Sequence, residues 1–112
     1  MPDQPTWQTQ PCPSWCEREH EEGDREGDRD HQTDGIFVPI IRVIRHACAH
    51  DHEHRQVLTD EVVVGAFQGQ QEHRPTVSIG LADDAQVCIE LKDESAERLV
   101  DALRQLLDQL SR

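Results

Sequence analysis

The chain has 112 residues, 35% hydrophobic and 4% aromatic, and carries 23 acidic against 11 basic side chains for a formal charge of -12. This describes one small domain with a modest core, and no apolar stretch approaches the roughly 20 residues needed to cross a bilayer. Excess carboxylates repel phosphate backbones and anionic lipid headgroups, so direct nucleic-acid or membrane binding is disfavoured.

Residues 1–35 form an acidic arm, with ten acidic and three basic residues for a net charge of -7. Met1-Pro2-Asp3-Gln4-Pro5 has neither the basic start nor the apolar centre of a secretory signal, so a cytoplasmic, reducing location is expected. Within the arm stand Cys12, Cys16, His20 and His31, spaced Cys-x3-Cys-x3-His-x10-His. Two thiols and two imidazoles are a complete donor set for tetrahedral Zn²⁺, which favours thiolate sulfur and neutral imidazole nitrogen. Pro13 fixes the backbone after the first thiol, and Ser14 with Glu17 has the form of a capping box, predicting a helical turn from Trp15 that puts Cys16 and His20 on one face. Trp15 and Trp7 are positioned to cover the ion with apolar surface. The alternatives are a Cys12–Cys16 disulfide, free thiols, or a site that uses other histidines.

Between His20 and His31 lies a tandem EGDR, at 22–25 and 26–29. Glycine and alternating charge bury nothing, so a solvated loop is expected. Its carboxylates do not follow the order of a calcium-binding EF-hand loop.

From Ile36 the composition suits a sheet, and residues 36–112 are expected to fold as a unit. Ile36–Ile44 reads as a strand, with Pro39 marking either an edge strand or an interruption because proline cannot donate to the ladder. The following run contains His46, Cys48, His50, His52 and His54 at alternate positions. On a straight strand successive members lie about 7 Å apart, and a turn would be needed for two or three to share Zn²⁺, Ni²⁺ or Cu²⁺. It is the second candidate metal set, set against a plain polar connection.

Val57–Phe67 reads as a second strand. Val77, Ile79 and Leu81 alternate with polar or small residues, as do Val87, Ile89 and Leu91, which predicts a hairpin through residues 82–85 with Cys88 turned from the core. Asp93 is placed to cap a helix with Glu94 and Glu97 in its first turn. Ala96, Leu99, Val100, Leu103, Leu106, Leu107 and Leu110 make an apolar stripe along it. The expected fold is therefore α+β: a metal-binding arm, then an antiparallel sheet of three to four strands packed by a C-terminal helix lying over Val77, Ile79, Val87 and Ile89.

The segment Pro11-Cys12-Pro13-Ser14-Trp15-Cys16 with His20 and His31, followed by a β-rich stretch and an amphipathic helix, resembles an uncharacterised family of small acidic actinobacterial proteins with an N-terminal CPxWCxxxH motif. The resemblance implies the metal motif and the order of elements and brings no activity with it. The run at 46–54 lies outside that pattern.

Catalysis is not expected. A hydrolytic zinc site keeps one position open, and without His31 the set Cys12, Cys16 and His20 would leave one, with Glu17 or Glu19 as base. The sequence offers no phosphate loop, nucleophile elbow or large core to hold a substrate cleft. The leading functional expectation is a zinc-stabilised module that docks on a protein partner as an accessory or regulatory factor. A transition-metal handling protein using residues 46–54, and an acidic antagonist of a nucleic-acid-binding protein, are the alternatives.

Overall fold

The structure, a computed structural model, describes residues 4–45 and 55–112. The sequence builds an antiparallel sheet followed by one helix: β1 (His31–Gln32), β2 (Ile36–Arg45), β3 (Arg55–Gln68), β4 (Thr76–Leu81), β5 (Asp84–Lys92) and α1 (Asp93–Leu110). A short 3₁₀ turn at Glu26–Asp28 precedes them in the arm. The second candidate metal set, His46, Cys48, His50, His52 and His54, lies outside the described residues.

The five strands make four lanes. Both β1 and β2 pair antiparallel with β3, end to end along the same side, with His31 opposite Gln68 and Ile36 opposite Val64. Between the Gln32–Phe67 and Ile36–Val64 pairs, three residues face two on β3, so the edge is bulged. Gly35 takes φ +93 there, in the left-handed region open to glycine, and a Cβ would meet Val63 Cγ1 at 3.0 Å. Pro39 does stand on an edge strand, since among the described residues β2 pairs with β3 alone. The arm thus hands its last residues to the sheet, and Thr33 locks the junction by donating its N–H to the Ala66 carbonyl while its hydroxyl accepts from Ala66 N–H, both at 3.0 Å.

β4 and β5 form the expected hairpin, closed by Ala82 and Asp83 with a register irregularity at Gly80/Leu81. Gly80 stands opposite Cys88 and Ile79 opposite Ile89, so the thiol and the large apolar residues occupy opposite faces.

The helix begins at Asp93, directly after the last residue of β5. Lys92 rather than Asp93 holds the cap position, and the Asp93 carboxylate is engaged by Arg74 through Nε at 3.2 Å and Nη2 at 2.8 Å. The helix packs against β5 and β4. That packing involves its first turn, where Asp93 and Ala96 are half-buried, while every residue from Glu97 onward is exposed. The stripe therefore does not lie over the Val77, Ile79, Val87 and Ile89 face. With no loop between strand and helix the chain has no room to reverse, and the helix runs outward to give extents of 61 × 30 × 21 Å. Among the described residues no hydrophobic side chain is buried; His31 and Gln68 are the buried ones.

Candidate metal centre

The expected helical turn at Trp15 does not form. Cys16 N–H donates to the Pro13 carbonyl at 3.0 Å, closing a single turn, but Glu17 N–H then donates to the Gln32 carbonyl at 2.8 Å. That bond takes the chain out of helical geometry, and the Glu17 carboxylate accepts from Asp34 N–H rather than completing a capping box at Ser14. Residues 16–20 instead run beside β1, so Cys16 and His20 meet through a loop pinned to the sheet edge.

The four expected ligands come together. Cys12, Cys16, His20 and His31 each present one donor atom, and these atoms all lie within 4.8 Å of one another. Cys16 Sγ stands 3.7 Å from His20 Nε2. Cys12 and Cys16 are free thiols, not a disulfide. His31, the ligand most remote in sequence, is wholly buried at 0% exposure. Both of its ring nitrogens, and Nδ1 of His20, have no hydrogen-bond partner among the described residues. Buried polar atoms left without partners cost roughly 1–3 kcal/mol each, so a ligand that accepts imidazole nitrogen is the simplest resolution of the arrangement. These residues can hold a metal ion.

The electrostatics agree. Burial, with the neighbouring His20 imidazole adding to it and Asp30 opposing, holds His31 below the usual histidine range, in the neutral form that ligates. Burial and then the nearby Cys16 push the Cys12 thiol up, with a hydrogen bond from Gln8 Nε2 to Cys12 Sγ at 3.4 Å working the other way. A bound cation would counter that effect by sharing the charge of the Cys12 thiolate.

Two tryptophans wall the cluster. Trp7 meets His20 edge to face at 5.3 Å between centroids, and Trp15 meets His31 at 6.4 Å, while the two imidazoles stand 5.4 Å apart. Trp7 is fixed by donating its indole N–H to the Glu21 carbonyl at 2.9 Å. Apolar walls of this kind exclude water and lower the local dielectric.

The acidic loop is not merely solvated. Asp24 Oδ2 lies 3.9 Å from His20 Nδ1, on the ring edge turned away from Cys16, and also accepts from Glu21 N–H at 2.9 Å. Arg29 stacks over Trp7 at 5.2 Å, and its carbonyl accepts from Gln70 in the turn between β3 and β4. Thr6 donates twice to the Glu22 carboxylate, holding it below the usual range. Nothing in the tandem EGDR distinguishes Asp24 from Asp28 or Arg29 from Arg25. Only the fold of the loop around Trp7 selects them.

No helix among the described residues is long and apolar enough to cross a membrane. Over residues 2–112 the chain matches a family described as a domain of unknown function (DUF6907). No curated protein and no solved structure is matched.

Proposed function

The chain belongs to that family, and we propose that it is a cytoplasmic zinc-stapled module that docks on a protein partner through its acidic arm, acting as an accessory or regulatory factor rather than as an enzyme. The observation that carries this reading is the convergence of two thiols and two imidazoles within 4.8 Å, with His31 sealed from solvent and unpartnered. Zinc bonds of about 2.3 Å to sulfur and 2.0 Å to nitrogen put tetrahedral ligand atoms roughly 3.3–3.8 Å apart. The 3.7 Å between Cys16 Sγ and His20 Nε2 falls in that range. Four protein ligands fill the tetrahedron and leave no position for a reacting water, which favours a structural role.

The ion would add to the hydrogen bonds that tie the arm to the sheet and hold it in one shape. Glu17, Glu19, Glu21, Glu22, Glu26 and Asp28 are exposed on the loop between the second and fourth ligands. Fixed by metal and tryptophan, they form an acidic surface suited to a basic partner. On this reading Cys12, Cys16, His20 and His31 are the ligand signature of the family.

The test is metal content and partner capture on the same protein. Full-length chain purified from zinc-containing medium should hold one tightly bound zinc, and Cys12→Ser or Cys16→Ser should abolish it. A basic protein retained by the zinc-loaded chain should be released by Cys16→Ser and by reversing Glu19 and Glu21 to Lys. Metal content unchanged in both serine variants removes the site; retention indifferent to the Lys changes removes the acidic surface.

A further inference from the structure

We infer that two copies of this chain assemble by exchanging helices, each laying the apolar stripe of α1 across the apolar sheet face of the other. The register places Ile36 and Val38 of β2, Val62 and Val64 of β3, Ile79 of β4 and Ile89 of β5 on one face, because directly opposed residues share a side of an antiparallel sheet. The stripe of α1 is the matching element, and the described residues leave both uncovered. The ten residues Leu99, Val100, Leu103, Leu106, Leu107 and Leu110 of the helix and Ile36, Val38, Val87 and Ile89 of the sheet are 39% to 72% exposed.

Three observations make a second copy the occupant. First, no hydrophobic side chain among the described residues is buried, and a folded domain without an apolar interior lacks the main term that offsets chain entropy. The cover must then be present whenever the chain is folded, which suits an identical chain better than an occasional partner. Second, the chain cannot cover its own face with its own helix. Lys92 ends β5 and Asp93 begins α1 with no residue between them, whereas the connection to a helix that returns over its sheet usually has about 2–6 residues. Arg74 pairs with both Asp93 at 2.8 Å and Glu94 at 3.2 Å in the first turn of the outward-running helix. Third, the size fits. The transfer energies of large apolar residues correspond to roughly 60–120 Å² per buried side chain, so the ten residues offer on the order of 500 Å² per chain. With the usual polar rim this reaches the ~800 Å² per partner of a stable interface.

Charge does not oppose the arrangement. The stripe carries no charged residue, and the charges on the same sheet face, Arg42 and Asp60, are paired at 3.4 Å. Neither surface includes a metal ligand, so the inference is independent of the zinc site. A two-fold exchange also closes on itself, since the same pair of surfaces is used twice.

The experiment is sedimentation of the full chain together with thermal unfolding at several concentrations. The expected mass is twice the chain mass of 12.8 kDa, with a Tm that rises with protein concentration because unfolding is then coupled to dissociation. The double variant L103E/L107E should lose the dimer, whereas Ile41→Glu, on the opposite sheet face, should keep it. Should the double variant fail to fold, the concentration dependence of the wild-type Tm decides. A single-chain mass with a concentration-independent Tm overturns the inference, as does a dimer that survives L103E/L107E or is lost in Ile41→Glu.

Discussion

Replacing His31 by Leu separates ligation from packing, because the two roles predict opposite signs. His31 is fully buried, and neither ring nitrogen has a partner among the described residues. In chelator the wild-type chain carries those two orphaned atoms at roughly 1–3 kcal/mol apiece, so an apolar residue of similar size should be more stable than histidine by about 2–6 kcal/mol. With zinc the order of effects changes. At free zinc a thousandfold above Kd, binding to the native state contributes about 4 kcal/mol. Losing one of four ligands should weaken binding at least ~100-fold, the upper end of what removing a mere outer-shell partner costs. The same zinc then stands only tenfold above Kd, worth about 1.4 kcal/mol. The zinc-induced increment should therefore fall by roughly 2.7 kcal/mol, or on the order of 10 °C in Tm for a domain of this size. The assay is thermal unfolding followed by circular dichroism, wild type against H31L, with zinc and with chelator, at one protein concentration. Equal zinc increments in the two proteins, or a loss in chelator as large as in zinc, would show that His31 packs and does not ligate.

Chelation of the wild-type chain should loosen the arm first: amide exchange should rise around Cys12–His20 while the α1 signal persists, and complete loss of helical circular dichroism would mean that the metal holds the whole chain together. Because four ligands already converge in the arm, changing His50, His52 and His54 together to Gln should leave one tight zinc per chain; its loss by elemental analysis would move the fourth ligand from His31 to this run. The Asp93 carboxyl is held below the usual carboxylate range by hydrogen bonding from Arg74, so the pair stabilises the fold above the unfolded pKa of about 3.9 and ceases to do so as pH falls through the lower folded value. Urea midpoints of wild type and Arg74→Ala should accordingly differ at pH 6 and converge at acid pH, and a gap unchanged down to pH 2 would refute the ion pair as its source.

The cluster of two thiols and two imidazoles that the fold brings together was legible because donor chemistry is carried by residue identity alone. The path that joins them was not. Ser14 and Glu17 have the spacing of a capping box, yet Glu17 N–H goes to the Gln32 carbonyl, a long-range bond that local pattern cannot foresee. The strands followed from alternation of β-branched residues, and of the two readings open for Pro39, edge or interruption, the fold takes the edge. What alternation cannot reveal is that β1 and β2 are one lane interrupted at Gly35, since two strand residues, His31 and Gln32, are too few to carry a period.

The helix shows the same division between local and long-range information. Its periodicity defines a stripe and says that the stripe needs a cover, but it is silent on which surface supplies it. The decisive detail is a connection of zero length. Had two or three residues separated Lys92 from Asp93, α1 would have had a route back over Ile79 and Ile89; with none, it runs outward with Arg74 paired to its first turn. The metal end and the helix end of the molecule thus answer the same shortage of buried apolar surface in different ways. In the arm, where ten acidic residues leave little to bury, a cation bound by four side chains can replace a core. In residues 36–112, the described residues leave apolar area on the sheet and on α1 exposed, and on the helix-exchange proposal a second copy supplies the cover.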